Sequence, residues 1–241
     1  MTQAMIETKQ LTKCYHAKPV VDHLDLSVPE GAIYGFLGPN GAGKSTTMKM
    51  LLGLISRDRG TIVIGGKEMN VMNRISILKQ VGSLIENPSY YSNLTAHENL
   101  QISCMLRGLP FCEIDRVLSI VRLDGQKKKK TAHYSLGMKQ RLGVAQAVLN
   151  DPKVLVLDEP TAGLDPKEQI RFRNLISDFA REKIVILSTH IVSDVSYIAD
   201  YILMMKGGQF LLGEPMNTVT DHIRGKVWEL LADNREIGEY S

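Results

Sequence analysis

The chain has 241 residues, 44% of them hydrophobic, with a net charge of +3 at neutral pH and three cysteines. That length and apolar content suit one domain with a full core and exclude a disordered or fibrous chain, and so mild a charge gives no argument for a nucleic-acid binder. Cys14, Cys104 and Cys112 form an odd set without C-x-x-C spacing, which speaks against a disulfide framework or a zinc site and fits reduced cytosolic thiols. The stretch from Met1 to Glu7 has no apolar signal core, and no apolar run approaches the roughly eighteen residues of a membrane span. Any action at a membrane therefore requires a partner that crosses it.

In chain order, residues Ile6 to Leu11 and Val20 to Val28 alternate as half-buried strands do, the second ending at the turn Pro29-Glu30-Gly31. Ala32 to Leu37 reads as a short buried strand. It runs into Gly38-Pro39-Asn40-Gly41-Ala42-Gly43-Lys44-Ser45-Thr46, which fits the phosphate-binding pattern G-x-x-x-x-G-K-[ST]. Glycines let the backbone curl around a phosphate, because positive φ costs them nothing and no Cβ blocks the approach. Lys44 then reaches the β- and γ-phosphates as a point charge, and the Ser45 hydroxyl is a ligand for Mg²⁺. Lys44 to Ile55 carries helical spacing, so strand, loop and helix N-terminus aim a positive dipole end at the anion. Gly60 to Gly66 is a further strand and turn, giving an antiparallel sheet beside the nucleotide core. Tyr15 is either a ring for stacking on adenine or a surface tyrosine beside a turn.

From about residue 87 to 150 the pattern changes from strands to helices, without a linker, as in a helical subdomain within one fold. Thr95-Ala96-His97-Glu98 matches the capping box and opens a helix through about Met105, closed by Gly108 and Pro110. A second helix is predicted from Phe111 to about Val121. The four lysines 127–130 read as a solvated loop or as a basic surface for a partner or a phosphate.

Val154-Leu155-Val156-Leu157 is a continuous apolar run, as a parallel strand buried on both faces requires, and it ends in Asp158-Glu159. Acids at the carboxyl end of such a strand emerge where these sheets place ligands. Asp158 is placed to hold Mg²⁺, and Glu159 to accept a proton from the water that attacks the γ-phosphate. Pro166 opens a helix through about Ala180, and Lys183 to Ser188 is another buried strand. This order indicates a right-handed parallel crossover that brings His190 to the same sheet edge, where it suits a γ-phosphate contact. A helix near Val192 to Ile198, a hairpin at Gly207-Gly208 and a strand at Val227 to Leu231 complete the reading.

These residues together make the chain resemble, over nearly its whole length, the ATP-binding subunits of ABC transporters. The signature motif of that family, usually LSGGQ, corresponds to Tyr134-Ser135-Leu136-Gly137-Met138-Lys139-Gln140-Arg141, in which Leu136 and Met138 depart from the usual residues. The resemblance implies an α/β fold of P-loop NTPase type, with a parallel core sheet and antiparallel β-subdomain over residues 1–86 and 151–213, a helical subdomain over 87–150 and a C-terminal extension over 214–241. It implies two copies paired head to tail, each ATP lying between the phosphate loop of one and Ser135, Gly137 and Met138 of the other, with integral membrane permease subunits as further partners. It places the chain at the cytoplasmic face of the cell membrane and leaves no role for nucleic acid. Gly163-Leu164-Asp165 matches the loop that crosses the dimer interface, and Tyr15, Glu159 and His190 match the adenine-stacking, general-base and switch-histidine positions.

Most members have glutamine where this chain has Glu86, a position whose side chain ligates Mg²⁺ and whose loop touches the permease. Glutamate there is expected to add negative charge near Asp158 and Glu159. It resembles exporters that protect bacteria against lantibiotics and bacitracin, which implies ATP-driven export of a peptide antibiotic. Two other classes are weaker. DNA-repair relatives insert coiled coils before the signature and translation-associated ones carry two cassettes, neither of which is present; the intact Asp158-Glu159 pair argues against a module that binds ATP without turnover. Related subunits often continue into a small C-terminal unit, so this chain is expected to be short or truncated.

Overall fold

The computed structural model describes residues 4–29, 31–180 and 183–219; the strand expected at Val227 to Leu231 lies outside the described residues. β1 (Ile6–Tyr15) and β2 (Lys18–Val28) pair antiparallel, from Ile6 opposite Val28 to Tyr15 opposite Lys18. β1 outruns its expected end at Leu11 because the hairpin closes only at His16 and Ala17, both with left-handed backbone. β3 (Ile33–Leu37) leads through the glycine loop into α1 (Lys44–Leu51), which stops short of Ile55 where Gly53 turns left-handed at φ 61°. β4 (Arg59–Ile64) and β5 (Lys67–Glu68) complete an antiparallel sheet in the order β2-β1-β4-β5.

α2 (Arg74–Leu78) and β6 (Val81–Leu84) were not legible, since segments this short show no periodicity and Gly82-Ser83 interrupts the strand pattern. Three helices follow, α3 (Ala96–Arg107), α4 (Glu113–Ile120) and α5 (Leu136–Val148). Thr95 caps α3 as the sequence predicts: its Oγ1 accepts from Glu98 N at 3.2 Å while its own N donates to Glu98 Oε2 at 2.7 Å. The chain then alternates through β7 (Val154–Asp158), α6 (Pro166–Phe179), β8 (Ile184–Thr189), α7 (Val192–Ile198), β9 (Tyr201–Lys206), β10 (Gln209–Pro215) and α8 (Met216–Val219).

The core sheet runs β10-β9-β3-β8-β7-β6, all neighbours parallel except the hairpin that sets β10 antiparallel at the edge. Side-chain alternation explains why its strands are apolar at every position. Leu155, Leu157, Val185 and Leu187 pack with the helices α3 to α7, whereas Val154, Val156, Ile184, Ile186, Tyr34 and Phe36 pack with α1 and the antiparallel sheet. The molecule is thus an α/β fold whose core sheet is covered by α1 and the antiparallel sheet on one face and by α3 to α7 on the other.

Register then builds one edge. Leu37 pairs with Thr189, and Asp158 with Ser188, so the residues that follow β3, β7 and β8 leave the sheet side by side at its carboxyl end.

Candidate active site

The loop after β3 is shaped by its glycines. Gly41 and Gly43 take φ of 80° and 105°, a region that L-residues avoid, and a Cβ on Gly43 would stand 2.5 Å from Val20 O. Gly43 is the N-cap of α1 with no side-chain cap, so the opening amides of the helix are directed into the loop. Ala42 is buried: its N donates to Pro39 O at 3.1 Å and its O accepts from Gly208 N at 3.0 Å, which ties the loop to the β9–β10 turn. Asn40 lies exposed at the loop tip, and Thr46 is half-buried on α1.

Lys44 is 5% exposed, and its ammonium donates to Gly38 O at 2.8 Å and Pro39 O at 3.3 Å. It also faces Glu159 Oε1 at 3.5 Å. Glu159 sits immediately past β7 with φ 46°, an unusual backbone for a non-glycine residue, and its N donates to Ser188 O and Ser188 Oγ, both at 3.1 Å. Its other oxygen, Oε2, stands 2.9 Å from His190 Nδ1. One carboxylate therefore touches both the loop cation and the imidazole.

Beside it, Ser45 Oγ donates to Asp158 Oδ1 at 3.0 Å, and Ser188 Oγ donates to the same oxygen. Asp158 is 3% exposed. A buried carboxylate and a hydroxyl at the N-terminus of α1 are hard oxygen donors of the kind Mg²⁺ takes, usually together with substrate phosphates and water rather than a full protein cage. No group of three or more His, Cys, Asp or Glu side chains that could hold a metal ion occurs among the described residues.

Glu86 stands apart from this group. With φ 59° it projects outward, its side chain 65% exposed, and its Oε1 accepts from Lys49 Nζ at 2.5 Å. Lys49 lies one helical turn past Ser45 on α1, so the same face that carries the hydroxyl also carries a cation. That contact holds the Glu86 carboxyl below the usual range and raises the Lys49 ammonium. The charge expected beside Asp158 and Glu159 is thus paired with Lys49, whose own field includes Asp158 and Tyr15. Lys49 was missed in the sequence, although its four-residue spacing from Ser45 was there to be read.

Tyr15 ends β1 at the hairpin turn, 45% exposed, with Lys13 Nζ 5.3 Å from its ring centroid. Ser135 is the N-cap of α5, its Oγ accepting from Met138 N at 3.3 Å. Gly137 lies against Glu168, where a Cβ would come within 2.5 Å of Oε2. Asp165 caps α6 by accepting from Glu168 N at 2.9 Å. Among the described residues, Ser135, Gly137, Met138 and Asp165 make no hydrogen bond or ion pair with Lys44, Ser45, Asp158, Glu159 or His190. No helix of the described residues is long and apolar enough to cross a membrane.

Comparison with known proteins bears on the same residues. The profile of the family described as ABC transporter matches residues 21–162, which include the glycine loop, the Ser135 helix and the Asp158-Glu159 pair. The bacitracin transport ATP-binding protein BcrA of Bacillus licheniformis is 44% identical over 223 residues, covering 91% of this chain and 71% of its own. The lantibiotic transport ATP-binding protein SrtF of Streptococcus pyogenes is 39% identical over 209 residues, covering 86% and 90%. Among solved structures, an ATP-binding subunit of an ABC transporter superposes with a TM-score of 0.80 at 29% identity, covering 91% of this chain and 93% of that one. CbiO1 from Clostridium perfringens, part of the transporter complex cbiONQ, superposes with a TM-score of 0.83 at 25% identity, over 92% and 94%.

Proposed function

The chain belongs to the ATP-binding subunits of the ABC transporter family, hydrolysing ATP to drive transport, and from that premise we propose that its cargo is a peptide antibiotic exported through a separate membrane permease as self-protection. The observation that carries the catalytic part is the contact of Glu159 with both Lys44 and His190 at the edge where Ser45 meets Asp158. In this reading the loop amides and Lys44 hold the phosphates. Glu159 takes the proton of the attacking water, and His190 keeps the carboxylate oriented and touches the γ-phosphate. Ser45 and Asp158 would hold Mg²⁺, with Glu86 as a further ligand should it leave Lys49; when bound, the ion would supply charge neutralisation.

The substrate class is supported by the bacitracin and lantibiotic transport proteins among the relatives and by glutamate at position 86. The permease is supported by a groove of about 930 Å³ beside the Glu86 loop, lined by Asn87, Tyr90, Tyr91, Arg107 and Gln146. A head-to-tail homodimer is supported by Ser135, whose position at the start of a long helix makes a second anion site. Tyr15, exposed at the hairpin tip, is the ring for adenine, and Asp165 belongs to the loop that crosses between copies. Such an assembly sits peripherally on the cytoplasmic face of the membrane, without nucleic acid.

The test is a survival panel of peptide antibiotics in cells carrying the permease and either the wild-type chain or Lys44→Ala. Protection against a lantibiotic or bacitracin that vanishes in Lys44→Ala supports the reading; equal survival with both chains across the panel refutes it.

A further inference from the structure

Glu159 and His190 stand on different loops, after β7 and after β8. Sheet register fixes those loops only as far as Asp158 opposite Ser188. Glu159 N adds its bonds to Ser188 O and Oγ, and beyond these backbone ties one buried side-chain carboxylate links the two segments. Asp194, in the first turn of α7, is 1% exposed. Its Oδ2 accepts from Thr161 Oγ1 and, at 3.4 Å, from Thr189 Oγ1. Thr161 comes two residues after Glu159, and Thr189 immediately before His190; both are buried. Thr189 Oγ1 in turn accepts from Ile191 N at 3.0 Å, closing the turn that presents the imidazole.

The other oxygen, Oδ1, makes no hydrogen bond among the described residues and faces Arg173 Nη1 at 3.7 Å. Arg173 is itself held: Nη1 donates to Ser193 O at 3.1 Å, and the guanidinium lies 4.9 Å over the Tyr197 ring. A buried ion pair of this kind is a weak stability device, because desolvation offsets the Coulomb attraction and a well-packed apolar pair would serve as well. What it supplies is a fixed geometry for the two hydroxyls that reach it.

We infer that Asp194 is a positioning residue for hydrolysis: through Thr161 and Thr189 it pins the Glu159 loop against the His190 loop and keeps Glu159 Oε2 within reach of His190 Nδ1. The inference rests on the ATPase reading of Glu159 given above. A displacement of about 1 Å at a reacting group costs on the order of a hundredfold in rate. The loop amides and Lys44, which carry most of the phosphate grip, follow β3 and lie outside the two segments the pin joins, so losing the pin is expected to lower kcat far more than nucleotide affinity.

The experiment measures steady-state phosphate release and ATP binding on the full chain for Asp194→Asn, Thr161→Val and the double variant, with Glu159→Gln in parallel. Expected are a fall in kcat of about tenfold to a hundredfold in Asp194→Asn and Thr161→Val, an ATP Kd within about twofold of wild type, and a double variant no slower than Asp194→Asn alone, since both changes remove one network. Wild-type kcat in a folded Asp194→Asn overturns the proposal, as does a parallel fall in kcat and ATP affinity. Should Asp194→Asn fail to fold, Thr161→Val decides alone, as it removes a single hydroxyl at constant shape. Unchanged turnover in Glu159→Gln removes the base, and the proposal with it. Lost turnover in Glu159→Gln beside normal turnover in Asp194→Asn removes only the pin.

Discussion

At the scale of single residues, the site combines groups that sequence spacing announces with groups that only the fold brings in. The Lys49–Glu86 pair is of the second kind and carries a pH prediction. Lys49 depresses the Glu86 carboxyl, so the pair contributes above the unfolded-state pKa of glutamate and is lost as pH falls through the lower folded value. At neutral pH it is therefore intact, and its contribution to stability is small because the carboxylate is exposed. An NMR titration of the Glu86 carboxyl is expected to give a midpoint below that of an ordinary glutamate, rising toward it in Lys49→Met; equal midpoints would dismiss the pair. Glu86→Gln is expected to keep hydrolysis while changing the protection of cells against peptide antibiotic, read from phosphate release and survival side by side. Lys44, Ser45, Asp158 and Glu159 were legible because each sits at a fixed place in a local pattern. Asp194 and Arg173 were not, since what marks them is burial and a partner across the fold, and neither has a sequence signature.

At the scale of elements, strongly patterned segments are legible in the sequence and brief ones are not. The capping box at Thr95 placed the start of α3 to the residue, because reciprocal hydrogen bonds between residues three apart are a local property. The same contacts hold Glu98 below the usual carboxylate range, Thr95 N first among them. Thr95→Ala is expected to lower the unfolding free energy by about 1 kcal/mol, measured as a shift of the denaturant midpoint at constant slope, with ATP binding unchanged. By contrast β6 escaped notice: Gly82 is required where its Cβ would lie 2.2 Å from Ala147 O, and that close approach of α5 is invisible in a strand of four residues. Helix ends were set by glycines at positive φ, at Gly53 after α1 and Gly108 after α3.

At the scale of the whole molecule, the fold class was legible because three apolar runs of strand length alternate with helical spacing, which leaves a parallel sheet covered on both faces as the way to bury them. The order of the strands was not, because pairing of β9 with β3 and of β6 with β7 is decided by tertiary packing. The proposed assembly makes a prediction at this scale. Glu159→Gln with Mg²⁺ and ATP is expected to sediment as a stable dimer with turnover near zero, whereas the wild type returns to monomer as ATP is consumed; a monomeric variant at saturating ATP would contradict head-to-tail closure.

The hydrogen bonds through the β9–β10 turn, Gly208 N to Ala42 O and Asp22 N to Gly208 O, join the phosphate loop to the antiparallel sheet and to the last strand of the core. In mechanical terms this turn is a splint laid across the glycine loop, in series with β10. Load on the β9–β10 turn is thus expected to reach Ala42, in the loop proposed to grip the phosphates. Fusions and surface tethers attached there are poor choices wherever nucleotide affinity is the quantity being measured.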